Sequence, residues 1–137
     1  KHTHIGVVVW KLINSYKSSF KSEKLNKYYE KKYSEDYEGF SRAKNELKRL
    51  KKHCIENNIS CKLVLIPDIH QLNPYKLSFI NDKIEKFSRM NEIPYLDLLE
   101  KFSEIDEKEI WNKYQDPHPN SYGHRIIAEE IYNFLTK

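Results

Sequence analysis

From Tyr37 the apolar residues recur at steps of three and four: Tyr37, Phe40, Ala43, Leu47, Leu50 and Cys54. That period lines one face of a helix and predicts an amphipathic segment running to about Asn57. Ser34 is the expected N-cap, with Glu35 and Asp36 at the positive end of the helix dipole. Asn57-Asn58 marks the stop. The opposite face carries Lys44, Lys48, Arg49, Lys51 and Lys52 and reads as solvated. The period then changes. In CKLVLIP, Cys61 to Pro67, the residues Leu63 to Ile66 are apolar without a break. A run without alternation predicts a strand covered on both faces, as in the centre of a parallel sheet. Asn73-Pro74 reads as N-cap and first residue of a second helix, with Leu77, Ile80, Ile84 and Phe87 as its buried stripe. IPYLDLL, Ile93 to Leu99, predicts a second strand, followed by a short helix around Glu100 to Trp111. Asn120 caps a last helix whose stripe is Ile127, Ile131, Phe134 and Leu135, with Ile126 beside it.

The first 34 residues are patterned less clearly. IGVVVW, residues 5–10, has strand composition, yet Ile5, Val8, Val9, Leu12 and Tyr16 share a helical face, and the stretch reads as a helix. Residues 17–34 form a polar, Lys- and Tyr-rich connection with some helical tendency. The order helix, strand, helix, strand, helix predicts an α/β unit with parallel strands and right-handed crossovers. Two clear strands are too few for an independent parallel sheet. The expectation is therefore the C-terminal part of a larger α/β domain, or a chain that borrows strands from a second copy of itself.

Composition changes this picture little. The net charge of +4 rests on lysine in a sequence rich in Lys, Ile, Asn and Tyr, which fits an AT-rich genome better than a nucleic-acid surface. The Lys/Tyr stretch reads as a solvated linker, and nucleic acid is not an expected partner. No apolar run is long enough to span a bilayer. KHTHIGVVVW has a basic start but only a short apolar run and no small-residue cleavage site, so it does not read as a signal peptide. Cys54 and Cys61 lack CxxC spacing, so neither a disulfide framework nor a zinc site is expected, and the compartment stays open.

Ligands of parallel α/β folds bind beyond the carboxyl ends of the strands. Three segments belong there: Pro67-Asp68-Ile69-His70-Gln71, Asp97, and the loop Asp116-Pro117-His118-Pro119-Asn120. His118 stands between two of the five prolines, which leaves its backbone little freedom. An imidazole beside a carboxylate is the pair that activates a hydroxyl nucleophile. Asp68 and His70 sit where a substrate loop is expected and are candidate substrate contacts. Asp97 reads as a cap for the next segment, Trp111 as a hydrophobic anchor for the motif loop, and His124 as a packing or surface residue. No metal site is expected from Asp116, His118 and His124.

DPHPNSYGHRIIAEEIYNFL, residues 116–135, resembles the C-terminal block of the SGNH (GDSL-type) hydrolases. LVLIP and, about thirty residues on, IPYLDL resemble the last two strands of that family. The resemblance covers roughly residues 35–137, with residues 1–34 as an N-terminal helix and polar connection. It implies a flavodoxin-like, three-layer α/β/α fold with a parallel sheet, present here as an incomplete C-terminal portion. It also implies cofactor-free Ser-His-Asp acyl transfer on a small-molecule or carbohydrate ester, with His118 as catalytic base, Asp116 as orienting acid, and Asn120 and Gly123 in structural positions. The Asp-x-His spacing is similar to that of the O-acetyltransferase relatives. The family's Gly-Asp-Ser block is not found in this sequence, and Gly39-Phe40-Ser41 falls inside a predicted helix. The nucleophile is thus expected from a missing N-terminal half or a second copy, and the isolated chain is expected to be inactive. The alternative is a non-catalytic binding or assembly module in which Asp116 and His118 form only a structural turn.

Overall fold

A computed structural model describes residues 23–113 and 116–136 of the chain. The expectation for residues 1–16 lies outside the described residues. Two compact units divide at Ser41/Arg42.

In the first unit, helix α1 (residues 23–32) is followed by a turn into α2 (Glu38–Glu56). The Tyr33 ring packs on Phe40 with centroids 5.3 Å apart, and the Lys32 ammonium lies 4.4 Å from the centre of the Tyr37 ring. Ser34 does not cap α2. Its hydroxyl donates back to the Lys31 carbonyl and its own carbonyl accepts from the Tyr37 amide, so it completes the turn instead. The Tyr37 carbonyl accepts the first helical bonds, from Phe40 and Ser41.

In the second unit α2 ends as the sequence predicts. Asn58 takes a left-handed conformation (φ 56°), the Ile59 amide donates to the Cys54 carbonyl, and the Asn58 amide donates to Ile55. This is the Schellman pattern, which satisfies the last carbonyls of a helix. Strand β1 (Leu63–Leu65) pairs in parallel with β2 (Tyr95–Asp97) in the register Leu63 to Tyr95. Val64 and Leu96 pack on the core, but both strands are only half-buried and Ile66 is exposed, so complete coverage of both faces is not found. Among the described residues the two strands pair only with each other.

Helix α3 spans Ser78–Met90. The expected start at Asn73-Pro74 is corrected: that peptide bond is cis and sits in a turn, and the buried Leu77 leads into the helix without a side-chain cap. Leu77, Ile80 and Phe87 are buried as the stripe requires. A second Schellman pattern ends α3, with Glu92 left-handed and the Ile93 amide donating to Ser88. Both connections from a helix into the parallel pair thus use the same device.

The single helix expected near 100–111 is two: α4 (Leu99–Ser103) and α5 (Glu107–Ile110), separated because Asp106 caps the second through the Lys108 amide. The core cluster joins Ile69, Leu72, Leu98, Phe102, Ile110 and Ile126. Leu98, Phe102 and Ile110 are fully enclosed. The Asp116–Asn120 segment, expected as a loop, is mostly strand. β3 (Trp111–Lys113) and β4 (Asp116–Pro119) form an antiparallel hairpin with Trp111 opposite Pro119 and an irregular register towards Lys113. A residue before proline is driven to extended backbone, and both Asp116 and His118 precede one.

The last helix, α6 (Ser121–Thr136), buries Gly123 and Ile126, half-buries Ile127, Ile131 and Phe134, and leaves the expected stripe residue Leu135 exposed. A Cβ on Gly123 would stand 3.1 Å from Cβ of Pro119 and 3.3 Å from the Ile110 carbonyl, so glycine suits the close approach of α6 to β4, and a side chain there would press its neighbours apart by a few tenths of an ångström. The Lys62 ammonium donates to the Phe134 carbonyl at 2.6 Å, placing a cation at the negative end of α6. The chain is thus of mixed α/β class. Among the described residues, no helix is long and apolar enough to cross a membrane.

Candidate active site

Extended backbone turns residues i and i+2 to the same side. In β4 this brings Asp116 and His118 together: the His118 Nδ1 bonds to Asp116 Oδ1. An ionised carboxylate only accepts, so Nδ1 is the donor, and in the neutral form of the ring Nε2 carries the free lone pair. The second carboxylate oxygen, Oδ2, accepts from the Asn112 side-chain amide at 3.0 Å across the hairpin. Both oxygens of the acid are therefore held. His118, and next to it Asn112, keep the Asp116 carboxyl below its ordinary value of 3.8. The imidazole is open to solvent, with 86% of its side chain exposed, against 43% for Asp116.

Asn120 builds the junction behind the pair. Its side-chain oxygen accepts from the Tyr122 and Gly123 amides at 2.9 and 3.0 Å, capping α6 as the sequence predicts. Its side-chain nitrogen donates to the carbonyls of Glu109 and Trp111 at 2.8 and 3.1 Å. One side chain thereby ties α5, β3 and α6 around the residue pair that precedes it.

Trp111 places the hairpin on the sheet. Its indole nitrogen donates to the Ile69 carbonyl at 2.7 Å, in the loop that leaves the carboxyl end of β1. It also packs on the core cluster, as an anchor should. In that same loop Asp68 Oδ1 accepts from the backbone amide of His70 at 2.9 Å and bonds to the His70 Nδ1. The two predicted substrate contacts therefore form a second acid–imidazole pair, one residue on either side of the carbonyl that holds Trp111.

Asp97 is a cap and more. It accepts from the Leu99 amide at 2.8 Å, from the Asn81 amide nitrogen on both oxygens at 2.9 and 2.8 Å, and from the Tyr95 hydroxyl at 3.3 Å. Burial, and then the neighbouring Asp97 charge, push the Tyr95 phenol well above its ordinary range. These bonds lock β2 to α3 and α4, so Asp97 is structural. A cavity of about 600 Å³ lies beside Tyr75, Tyr95, Asp97 and Glu100, and the Asp97 carboxylate in its wall is already taken. His124 is exposed on α6. Among the described residues, no three His, Cys, Asp or Glu side chains are grouped to hold a metal ion.

Sequence reasoning missed Asn112. Its role depends on pairing across the hairpin, for which the only local sign is the proline-enforced extension of residues 116–119. No protein-family model, curated protein or solved structure matches the chain.

Proposed function

We propose that this chain carries the acid–base portion of an SGNH (GDSL-type) ester hydrolase or O-acyltransferase. One observation carries the proposal: an imidazole oriented by a carboxylate on an extended strand, just ahead of a capped helix, in a hairpin docked on the loop leaving a parallel strand. On this reading the parallel β1–β2 pair belongs to a flavodoxin-like three-layer α/β/α domain, and the remaining strands add at its open edge.

Asp116 holds the Nδ1 proton and offsets the charge of the imidazolium as it forms. The His118 Nε2 takes the proton of a serine hydroxyl as that oxygen attacks the ester carbonyl, then returns it to the departing alcohol. In the second half, His118 takes a proton from water or an acceptor alcohol and returns it to the serine. The serine and the oxyanion donors come from outside the described residues or from a second copy. The open position of His118 suits a base that meets a surface supplied from elsewhere.

Hydrolysis of p-nitrophenyl acetate by the complete protein tests the reading. His118→Ala is expected to lower kcat by about 100-fold or more, the usual contribution of a positioned general base. Turnover within twofold of the unsubstituted protein would remove it. A second reading, a non-catalytic module, is favoured by the same Asn120 and Trp111 bonds, which would be needed for the junction alone. That reading predicts no ester turnover and no covalent labelling by a fluorophosphonate.

A further inference from the structure

Cys54 and Cys61 are the two cysteines of the chain. No short spacing joins them in sequence, but the fold does. Cys54 lies in the last turn of α2, and its carbonyl accepts from the Ile59 amide at 2.8 Å where Asn58 reverses the chain. Cys61 follows two residues after Ile59, just ahead of β1. The reversal brings the two thiols into contact, and the Cys61 S–H donates to the Cys54 sulfur. Both are free thiols. Cys54 is 7% exposed, whereas Cys61 is half-buried and open to a reagent. Burial, and then Cys54 itself, hold the Cys61 thiol above its ordinary value, while the Lys51 ammonium acts against them. The thiolate is the attacking form, so the pair rests as thiols until a suitable partner arrives.

Two sulfurs in hydrogen-bond contact need only a small side-chain rotation to reach the ~2.05 Å of a covalent bond. We propose that Cys54 and Cys61 are a reversible dithiol–disulfide pair, oxidised by a small disulfide such as glutathione disulfide. The Cys61 thiolate attacks one sulfur of glutathione disulfide, the S–S bond of that reagent breaks, and the departing thiolate takes up a proton. Cys61 is then joined to one glutathione. Cys54 loses its proton to solvent, attacks the Cys61 sulfur and releases the second glutathione, which is protonated in turn. Two cysteine thiols are oxidised, and one glutathione disulfide is reduced to two thiols. Exposure sets this order, because Cys61 is open to the reagent and Cys54 is already in contact with Cys61. The new bond fastens the end of α2 to the chain entering β1, the strand whose outgoing loop receives Trp111 at Ile69. This pair stands apart from the acyl-transfer reading.

The chain is equilibrated in mixtures of glutathione and glutathione disulfide, quenched with N-ethylmaleimide, and weighed intact. It is expected to pass in one step from two alkylated cysteines to none, as a monomer lighter by two hydrogens. The balance should lie about 50-fold further towards the disulfide in buffer than in concentrated urea, because the native contact has already met the entropy of closing this loop of eight residues. For the same reason the urea midpoint of the oxidised chain, read by Trp111 fluorescence in a Trp10→Phe background, should rise by roughly 1.2 M. Cys54→Ala should stop the reaction at the adduct of Cys61 with glutathione, and Cys61→Ser should slow modification of Cys54 by about tenfold or more. A native balance within about threefold of that in urea, two glutathione adducts on one chain, or disulfide-linked dimers as the main product would overturn the proposal. The comparison of native and unfolded chain needs no substitution at either cysteine, so it holds even where Cys54→Ala does not fold.

Discussion

Replacing Asn120 by alanine removes four hydrogen bonds with one substitution. Two are the caps on the Tyr122 and Gly123 amides, and two are the donations to the Glu109 and Trp111 carbonyls. Loss of an asparagine N-cap costs about 1 kcal/mol. Each of the two remaining bonds adds about 1 kcal/mol net. The expected cost of Asn120→Ala is therefore about 3 kcal/mol, a large part of the stability of a small domain. Asn120→Asp separates the contributions. Its carboxylate keeps both caps and suits the positive end of α6, but it cannot donate to the two carbonyls and places an oxygen against them. It should recover the capping part, about 1 kcal/mol, and no more. Urea unfolding followed by Trp111 fluorescence in a Trp10→Phe background reads the second unit. With a slope of about 2 kcal/mol per molar, the midpoint should fall by roughly 1.5 M for the alanine variant. A midpoint within 0.2 M of the parent (about 0.4 kcal/mol on that slope) would show that these four bonds do not hold the α5–β3–α6 junction. Full recovery by aspartate would show that only the cap matters.

Trp111→Phe keeps the ring in the core but leaves the Ile69 carbonyl without its indole donor. It should cost about 1–2 kcal/mol by urea unfolding followed by circular dichroism, and should move the imidazole resonances of His70 and His118 together; an unchanged midpoint would contradict the docking role given to the indole. Asn112→Ala frees one oxygen of Asp116, so the depressed folded-state value of that carboxyl should move back up towards 3.8, read from its ¹³C resonance. The sign for stability follows: because the folded value is lowered, the bonds of Asp116 support the hairpin above about pH 4 and are lost as pH falls through the folded value, and Asn112→Ala should raise the pH at which that loss occurs. An Asp116 titration identical in the two proteins would refute the bond.

Rules that act over a few residues made much of the chain legible. The three- and four-residue steps from Phe40 to Cys54, and from Leu77 to Phe87, describe helices because a helix brings such positions to one face. Asn120 reads as a cap because its side chain reaches amides only two and three residues ahead. Local signals misled where they compete. Ser34 could cap a helix or close a turn, and the Tyr33–Phe40 and Lys32–Tyr37 packing accompanies the turn. Asn73-Pro74 has the composition of a helix start, yet the buried Leu77 leads into α3 further on.

By itself, the sequence determined that the backbone at Asp116 and His118 has little freedom; that the segment is a strand and that the two side chains meet came from the structure. Each of the two precedes a proline, and alternate residues of an extended chain share a side. Tertiary structure alone decided what that pair stands beside. Asn112 reaches Asp116 only because a hairpin closes, and Ile69 meets Trp111 across 42 residues only because both pack on one core. Contacts at such separation depend on which apolar surfaces can be buried together, a property of the whole chain that no short stretch of it encodes.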